Sequence, residues 1–131
     1  MTIPFWCVFV AVILPYVWFS FAAPFRAAQF GKALDSHTPR LQEPALIGRA
    51  ARAQGAHQNS LEALTYFAPA VIVAHLAHAD SVWSARLSAA FIGLRLIHGV
   101  VYLADKPPLR TFFFALGLLT SLALFVLAAC A

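Results

Sequence analysis

The chain has 131 residues, of which 62% are hydrophobic and only 11% charged, and its formal net charge is +4. This composition excludes an ordinary soluble domain and predicts an integral membrane protein with a single domain. No basic stripe is interleaved with exposed aromatic residues, so the positive charge does not predict a nucleic-acid partner.

Four apolar runs are long enough to cross about 30 Å of hydrocarbon, which takes roughly 20 helical residues. The runs cover 3–23, 61–79, 82–104 and 109–131. The first run lacks the basic leader and short apolar core of a cleaved signal, so we expect it to be retained. The predicted fold is all-α, an integral membrane four-helix bundle. Its helices are expected at about 3–23, 44–79, 81–104 and 108–131.

The connections between the runs differ greatly in length. The segment after the first run is the only long polar one, with a short helical extension expected at its start and the second helix expected to begin near Pro44. Asp80 is placed to cap the third helix, and 105–108 forms the last turn. Short connections make consecutive helices antiparallel neighbours, so the start of the second helix and the end of the third should meet.

Basic residues indicate the orientation. The segment between the first two spans and the last turn carry most of them, namely Arg26, Lys32, Arg40, Arg49, Arg52, Lys106 and Arg110. The positive-inside rule places both segments in the cytoplasm and both termini outside.

A polar stripe is predicted on the second helix, because spacings of seven, three and four residues return to one helical face. It comprises Arg52, Asn59, Glu62 and Tyr66. His57 should point the opposite way. The third helix carries a matching stripe of Arg95, His98, Tyr102 and Asp105.

These stripes and Arg110 should converge on one site near the cytoplasmic interface, where charged groups are functional candidates by default. A structural alternative is that Glu62 pairs with Arg95 or Arg52 and joins the helices. The predicted site contains more cationic side chains than Glu62 can neutralise, which favours an anionic ligand instead. For Asp105 we favour a local pair with Lys106 or Arg110 over a proton-transfer role.

Other polar and small residues have structural explanations. His75 and His78 are spaced as metal or haem ligands can be, but no other helix offers a ligand at that level, so no metal is predicted and interfacial hydrogen bonding is favoured. Gly93, Gly99 and Gly117 are expected to permit close helix approach within an oligomer.

The motifs AHQNSLE (56–62) and RLIHGVVYLADKPPLRT (95–111) resemble the MAPEG family, the membrane-associated proteins of eicosanoid and glutathione metabolism. The similarity is greatest to the microsomal prostaglandin E synthase and glutathione transferase types and their bacterial relatives. It extends over nearly the whole chain. The resemblance implies a homotrimer, with glutathione as co-substrate bound between subunits near the cytoplasmic side.

Carried over by residue, the resemblance implies that Asn59 and Glu62 hold the peptide portion of glutathione, with Glu62 taking its ammonium. His98 and Tyr102 would line the pocket. Arg110 would be catalytic, because a guanidinium that lowers the thiol pKa increases the amount of thiolate. The full set of implied and candidate binding residues is Arg26, Arg52, Asn59, Glu62, Tyr66, Arg95, His98 and Tyr102.

The implied activity is a glutathione-dependent transferase or peroxidase acting on hydrophobic electrophiles or lipid peroxides. Two positions depart from the pattern, since Gln58 replaces an arginine and Phe114 a common tyrosine. The alternative is therefore a non-catalytic trimer that binds a lipid or small anion at the same site. A transporter is the weakest hypothesis, because the polar residues cluster at one end of the bundle.

Overall fold

The structure, a computed structural model, describes residues 1–31 and 37–131. All regular secondary structure in these two ranges is helical, which confirms the predicted all-α fold. The elements are α1 (Ile3–Phe30), a 3-10 helix (Pro39–Ala45), α2 (Gly48–Leu76), α3 (Ser81–Leu103) and α4 (Pro107–Ala129). Lys32, one of the basic residues used to predict orientation, lies outside the described residues.

The first helix continues past the apolar run to Phe30, in agreement with the expected helical extension. It starts with a proline in its first turn, where a missing amide hydrogen is harmless. It ends at Gly31, whose φ of 72° is left-handed and whose amide donates to the carbonyl of Ala27 at 2.9 Å. A glycine adopts this conformation without a steric penalty, so Gly31 ends α1 cleanly.

The second helix begins later than predicted. Pro39 and Pro44 both fall within the short 3-10 helix, and α2 starts only at Gly48, which has a left-handed φ of 57°. Pro44 lies near the end of this 3-10 helix rather than in a first helical turn, so the prediction that α2 begins near Pro44 is wrong. The backbone reversal at Gly48 separates the two elements.

The two short turns have the structures that the sequence predicts. The carboxylate of Asp80 accepts two amide hydrogens from the first turn of α3, at 3.0 and 2.8 Å. Pro107 opens α4. His78 and Asp105 adopt left-handed φ angles of 56° and 59°, which reverse the chain within a few residues. Consecutive long helices therefore lie antiparallel.

This arrangement gives the bundle two distinct ends. We call the polar end the one where α2 and α4 begin and α3 ends, and the far end the one where α1 and α3 begin and α2 ends. Between them, α1 packs mainly on α2 and α3 on α4, while α2 also contacts α3 and α4.

One of the glycines expected at an oligomer interface permits a close contact inside this chain. A Cβ at Gly99 would overlap the indole ring of Trp18, whereas one at Gly117 would lie 3.6 Å from Cδ of Arg95, an ordinary van der Waals distance. Gly93 alone of the three has open space where its Cβ would be. Small residues allow helices to approach closely in membranes, and here Gly99 allows α1 and α3 to do so.

Three of the described helices, α1, α3 and α4, are long and apolar enough to cross a membrane. Their outer faces carry exposed large apolar side chains, such as Phe112 at 55% and Val126 at 63% exposed, which suits contact with lipid. We predicted four crossings, but α2 does not meet the same criterion, because polar side chains occupy its first half. The chain is an integral membrane helical bundle, and the crossing by α2 stays a prediction.

Candidate functional site

A buried arginine occupies the centre of the predicted site. Arg95 of α3 is 1% exposed, and its Nη2 donates to Oδ1 of Asn59 on α2 at 2.7 Å. The amide of Asn59 in turn donates to Oε2 of the exposed Glu62 at 3.3 Å. Glu62 is therefore linked to Arg95 through Asn59, rather than by the direct pairing that the structural alternative assumed.

Several polar atoms around Arg95 are buried without a hydrogen-bond partner in the described part of the chain. They are Nε and Nη1 of Arg95, the hydroxyl of Tyr66 and Nδ1 of His98. His98 lies one turn after Arg95 on the same face of α3, and Tyr66 packs edge-on against Phe91 of α3, at 6.3 Å between ring centroids. Buried polar groups in folded proteins are nearly always bonded, so these atoms are available to a further polar partner.

The fourth helix joins the site through aromatic contacts. The guanidinium carbon of Arg110 lies 4.5 Å from the ring centroid of Tyr102, and the Tyr102 ring is edge-on to His98 at 5.6 Å. A cation over an aromatic face is attracted by the ring quadrupole. This contact fixes Arg110 beside α3 without neutralising its charge.

Tyr102 depends on a residue that the sequence analysis did not single out. A Cβ at Gly55 would lie 2.5 Å from the Tyr102 hydroxyl, so any larger residue at this position would displace the Tyr102 ring. The signal in the sequence was an isolated glycine inside the alanine-rich start of α2, which indicates close packing when it occurs within a helix.

Asp105 has a different partner from the one expected. Its Oδ2 lies 3.2 Å from Nη1 of Arg52, with side chains 64% and 27% exposed. The prediction that Asp105 pairs with Lys106 or Arg110 is therefore wrong. The end of α3 lies beside the start of α2. Arg52, which is distant in sequence, therefore pairs with the carboxylate of Asp105, whereas Lys106 and Arg110 do not.

Arg26 of α1 is 2% exposed, and its Nη2 donates to Oε1 of Gln54 at 2.7 Å. Its guanidinium carbon lies 5.4 Å from the ring centroid of Phe19. Both contacts are with α1 and α2, so Arg26 is held in the interface of these helices. Gln54 was missed by the sequence analysis, although a glutamine within an alanine run was a visible signal.

Two further residues of the AHQNSLE motif face away from Arg95. Nδ1 of His57 lies 2.9 Å from the carbonyl oxygen of Pro15 on α1, which confirms that His57 points away from the stripe. Gln58 donates to Oε2 of Glu43 at 3.1 Å. The amide of Gln58 thus ties α2 to the preceding 3-10 helix.

The fold and this site define an α-helical membrane bundle with a buried, arginine-centred polar end. The MAPEG family model matches residues 3–130, nearly the whole chain, and the protein therefore belongs to the MAPEG family. A search of curated proteins gave no match. A search of solved structures also gave none.

Proposed function

We propose that the protein is a membrane-embedded, glutathione-dependent transferase or peroxidase that acts on hydrophobic electrophiles or lipid peroxides. Membership of the MAPEG family supports a glutathione-related role. The observation that carries the proposal is Arg95, a buried cation with two unbonded nitrogens in the described structure. An anionic ligand would meet these donors and neutralise a charge that is costly near hydrocarbon.

The residues present suit the functional groups of glutathione, a peptide with two carboxylates, one ammonium and a thiol. Glu62 is exposed and offers a carboxylate to the ammonium, while Asn59 holds Glu62 in place. Arg95, Tyr66 and His98 supply unbonded polar atoms for the carboxylates. Arg52, paired to Asp105, forms the rim of this site.

Arg110 is proposed as the catalytic residue. A free thiol has a pKa of about 8.5, so most of it is protonated at neutral pH. Because no carboxylate of the described chain pairs with Arg110, its charge remains available to stabilise a thiolate. Bound glutathione would supply a sulfur that bonds to carbon as the leaving group departs with its electron pair. With a peroxide, two glutathiones would become the disulfide as alcohol and water form.

The proposed assembly is a homotrimer in the bacterial inner membrane, with the basic segments cytoplasmic and both termini periplasmic. Asn59 and Tyr66 are half-buried and Glu62 is exposed in the single chain. A second copy packed on this face would complete the pocket. A hydrophobic substrate dissolved in the bilayer could then reach the pocket from the side.

A second candidate is a non-catalytic trimer that binds a lipid or small anion at the same polar end. The specific support is Gln58, which replaces a cation of the family pattern and is already bonded to Glu43. Phe114 also lacks the hydroxyl that a tyrosine would supply. Both differences reduce the polar contacts available to glutathione.

Purified protein with glutathione and 1-chloro-2,4-dinitrobenzene separates the two candidates. The enzyme hypothesis predicts a higher melting temperature with millimolar glutathione and formation of the thioether. Arg110→Ala should lower the conjugation rate about 100-fold, as loss of one charge-stabilising group does. Arg86→Ala is the matched control, since Arg86 packs on Trp83 at the far end. No shift and no conjugation by the wild type would refute the enzyme hypothesis.

Glu62→Gln tests binding separately from catalysis. If Glu62 takes the ammonium of glutathione, the variant should show a smaller thermal shift with glutathione while its stability without ligand is nearly unchanged. Loss of the trimer in the absence of ligand would instead show that Glu62 has a structural role.

A further inference from the structure

The far end of the bundle contains a cavity of about 510 Å³ that is separate from the polar end. It lies where α1 and α3 begin and α2 ends, and Leu124 of α4 also lines it. Its volume falls within the range of roughly 300–1,000 Å³ typical of small-molecule sites. The lining is mainly apolar, with a few polar side chains, which is the usual composition of such a site.

Among the described residues that line the cavity, Ser84 alone has a buried side-chain polar atom without a hydrogen-bond partner. It lines the cavity, its residue is only 8% exposed, and its Oγ has no hydrogen-bond partner among the described residues. His75, which also lines the cavity, packs its ring edge-on against Phe5 at 5.0 Å between centroids. A buried hydroxyl without a partner in the chain is available to bond a polar group in the cavity.

The start of α1 adds free amides on the same cavity. The first helical hydrogen bond of α1 runs from the amide of Trp6 to the carbonyl of Thr2 at 3.1 Å, so the amides of Ile3 and Phe5 precede it. The Thr2 side chain does not cap them, and the first turn contains no acidic residue. Such a helix start attracts anions. The start of α3 differs, because Asp80 already caps it.

We propose that this cavity binds the carboxylate head of a long-chain fatty acid. Ser84 and the amides at the start of α1 hold the head, and apolar residues such as Ile3 and Phe5 contact the chain. No aspartate or glutamate is among the described residues that line this cavity, so these residues do not repel the carboxylate. This binding site is independent of the glutathione chemistry proposed for the polar end.

Photolabelling with a diazirine derivative of palmitic acid tests the proposal on wild-type protein in phosphatidylcholine nanodiscs. Mass spectrometry should locate the label in peptides that contain 2–5, 71–79 or 81–85, and excess unlabelled palmitate should remove it. Ser84→Ala should weaken labelling about tenfold, the usual effect of losing one hydrogen bond to a charged group. Ser88→Ala is the matched control, because Ser88 is also buried, at 0% exposed, and unbonded within the described chain but lies outside the cavity lining.

Several outcomes would overturn the proposal. They are equal labelling by the matching diazirine alcohol, which has no carboxylate, labelling of Ser84→Ala at the wild-type level, and displacement by lysophosphatidate as efficient as by palmitate. Ser84→Leu, which fills the cavity, should abolish labelling, and wild-type labelling of this variant would also contradict us. Melting temperatures without ligand establish that each variant is folded. Arg110→Ala should label normally, which separates this site from the polar end.

Discussion

The half of the bundle nearer the far end (the far half) and the half nearer the polar end (the polar half) are held together by different interactions. In the far half, the rings of Phe67 and Phe91 stack at 3.8 Å between centroids, and small side chains and Leu124 surround them. In the polar half, hydrogen bonds join separate helices, as between Arg95 and Asn59 or between Arg26 and Gln54.

This difference follows from the bilayer. Lipid tails are as apolar as leucine, so apolar helices gain little from burial alone, and the far half must rely on close packing. A buried cation near hydrocarbon must have partners, so the polar half relies on directional hydrogen bonds. Side-chain volume should therefore govern stability in the far half, and hydrogen-bond partners should govern it in the polar half.

The largest effect is expected from Phe67→Ala in the far half. Removing one of two stacked, fully buried rings leaves a cavity and should lower the free energy of unfolding by about 3–5 kcal/mol. Equilibrium unfolding in mixed micelles with increasing dodecyl sulfate measures this. Phe112→Ala is the control, because that ring is exposed and should contribute little. Equal losses in the two variants would contradict the packing argument.

In the polar half, Asn59→Leu should cost more than Arg95→Met. The first change leaves a buried guanidinium without its hydrogen-bond acceptor and should cost about 3 kcal/mol, whereas the second removes the charge itself. The double variant should recover part of the loss in the same unfolding assay. Additive losses would show that Asn59 and Arg95 do not depend on one another.

Gly99→Ala tests the close contact between α1 and α3. The added methyl group would overlap the ring of the buried Trp18, and such overpacking costs about 1–3 kcal/mol. Gly93→Ala is the matched control on the same helix and has open space at its Cβ, so it should gain up to about 1 kcal/mol from helix propensity. Unfolding midpoints that move in the same direction would refute the assigned contact.

The smallest effect is expected for Asp105→Asn. The pair with Arg52 is partly exposed to solvent, so its loss should cost less than about 1 kcal/mol. Asparagine tolerates the left-handed φ of this position, so the change isolates the charge. Melting temperatures of variant and wild type should converge at high salt, where the ion pair is screened. A difference that persists in salt would indicate another role for Asp105.

Periodicity and hydropathy predicted the helical class, the short turns and the division of faces on α2. Arg52, Asn59 and Tyr66 contact α3 or the turn after it, and His57 faces α1, as their spacing requires. Angular position is a property of the single helix, so it could be derived before the fold was known. The predicted start of α2 near Pro44 is wrong, because this proline lies near the end of a separate 3-10 helix and α2 starts at Gly48.

The amino-acid sequence by itself determined that this protein is a helical membrane bundle of the MAPEG type, with polar stripes on α2 and α3. Only the tertiary structure decided the partners of Asp105, Arg26 and Gly99, and it alone revealed the cavity beside Ser84. Helical periodicity and apolar length are local properties of a chain. Hydrogen-bond partners and cavities depend on how separate helices meet, which residue spacing does not specify.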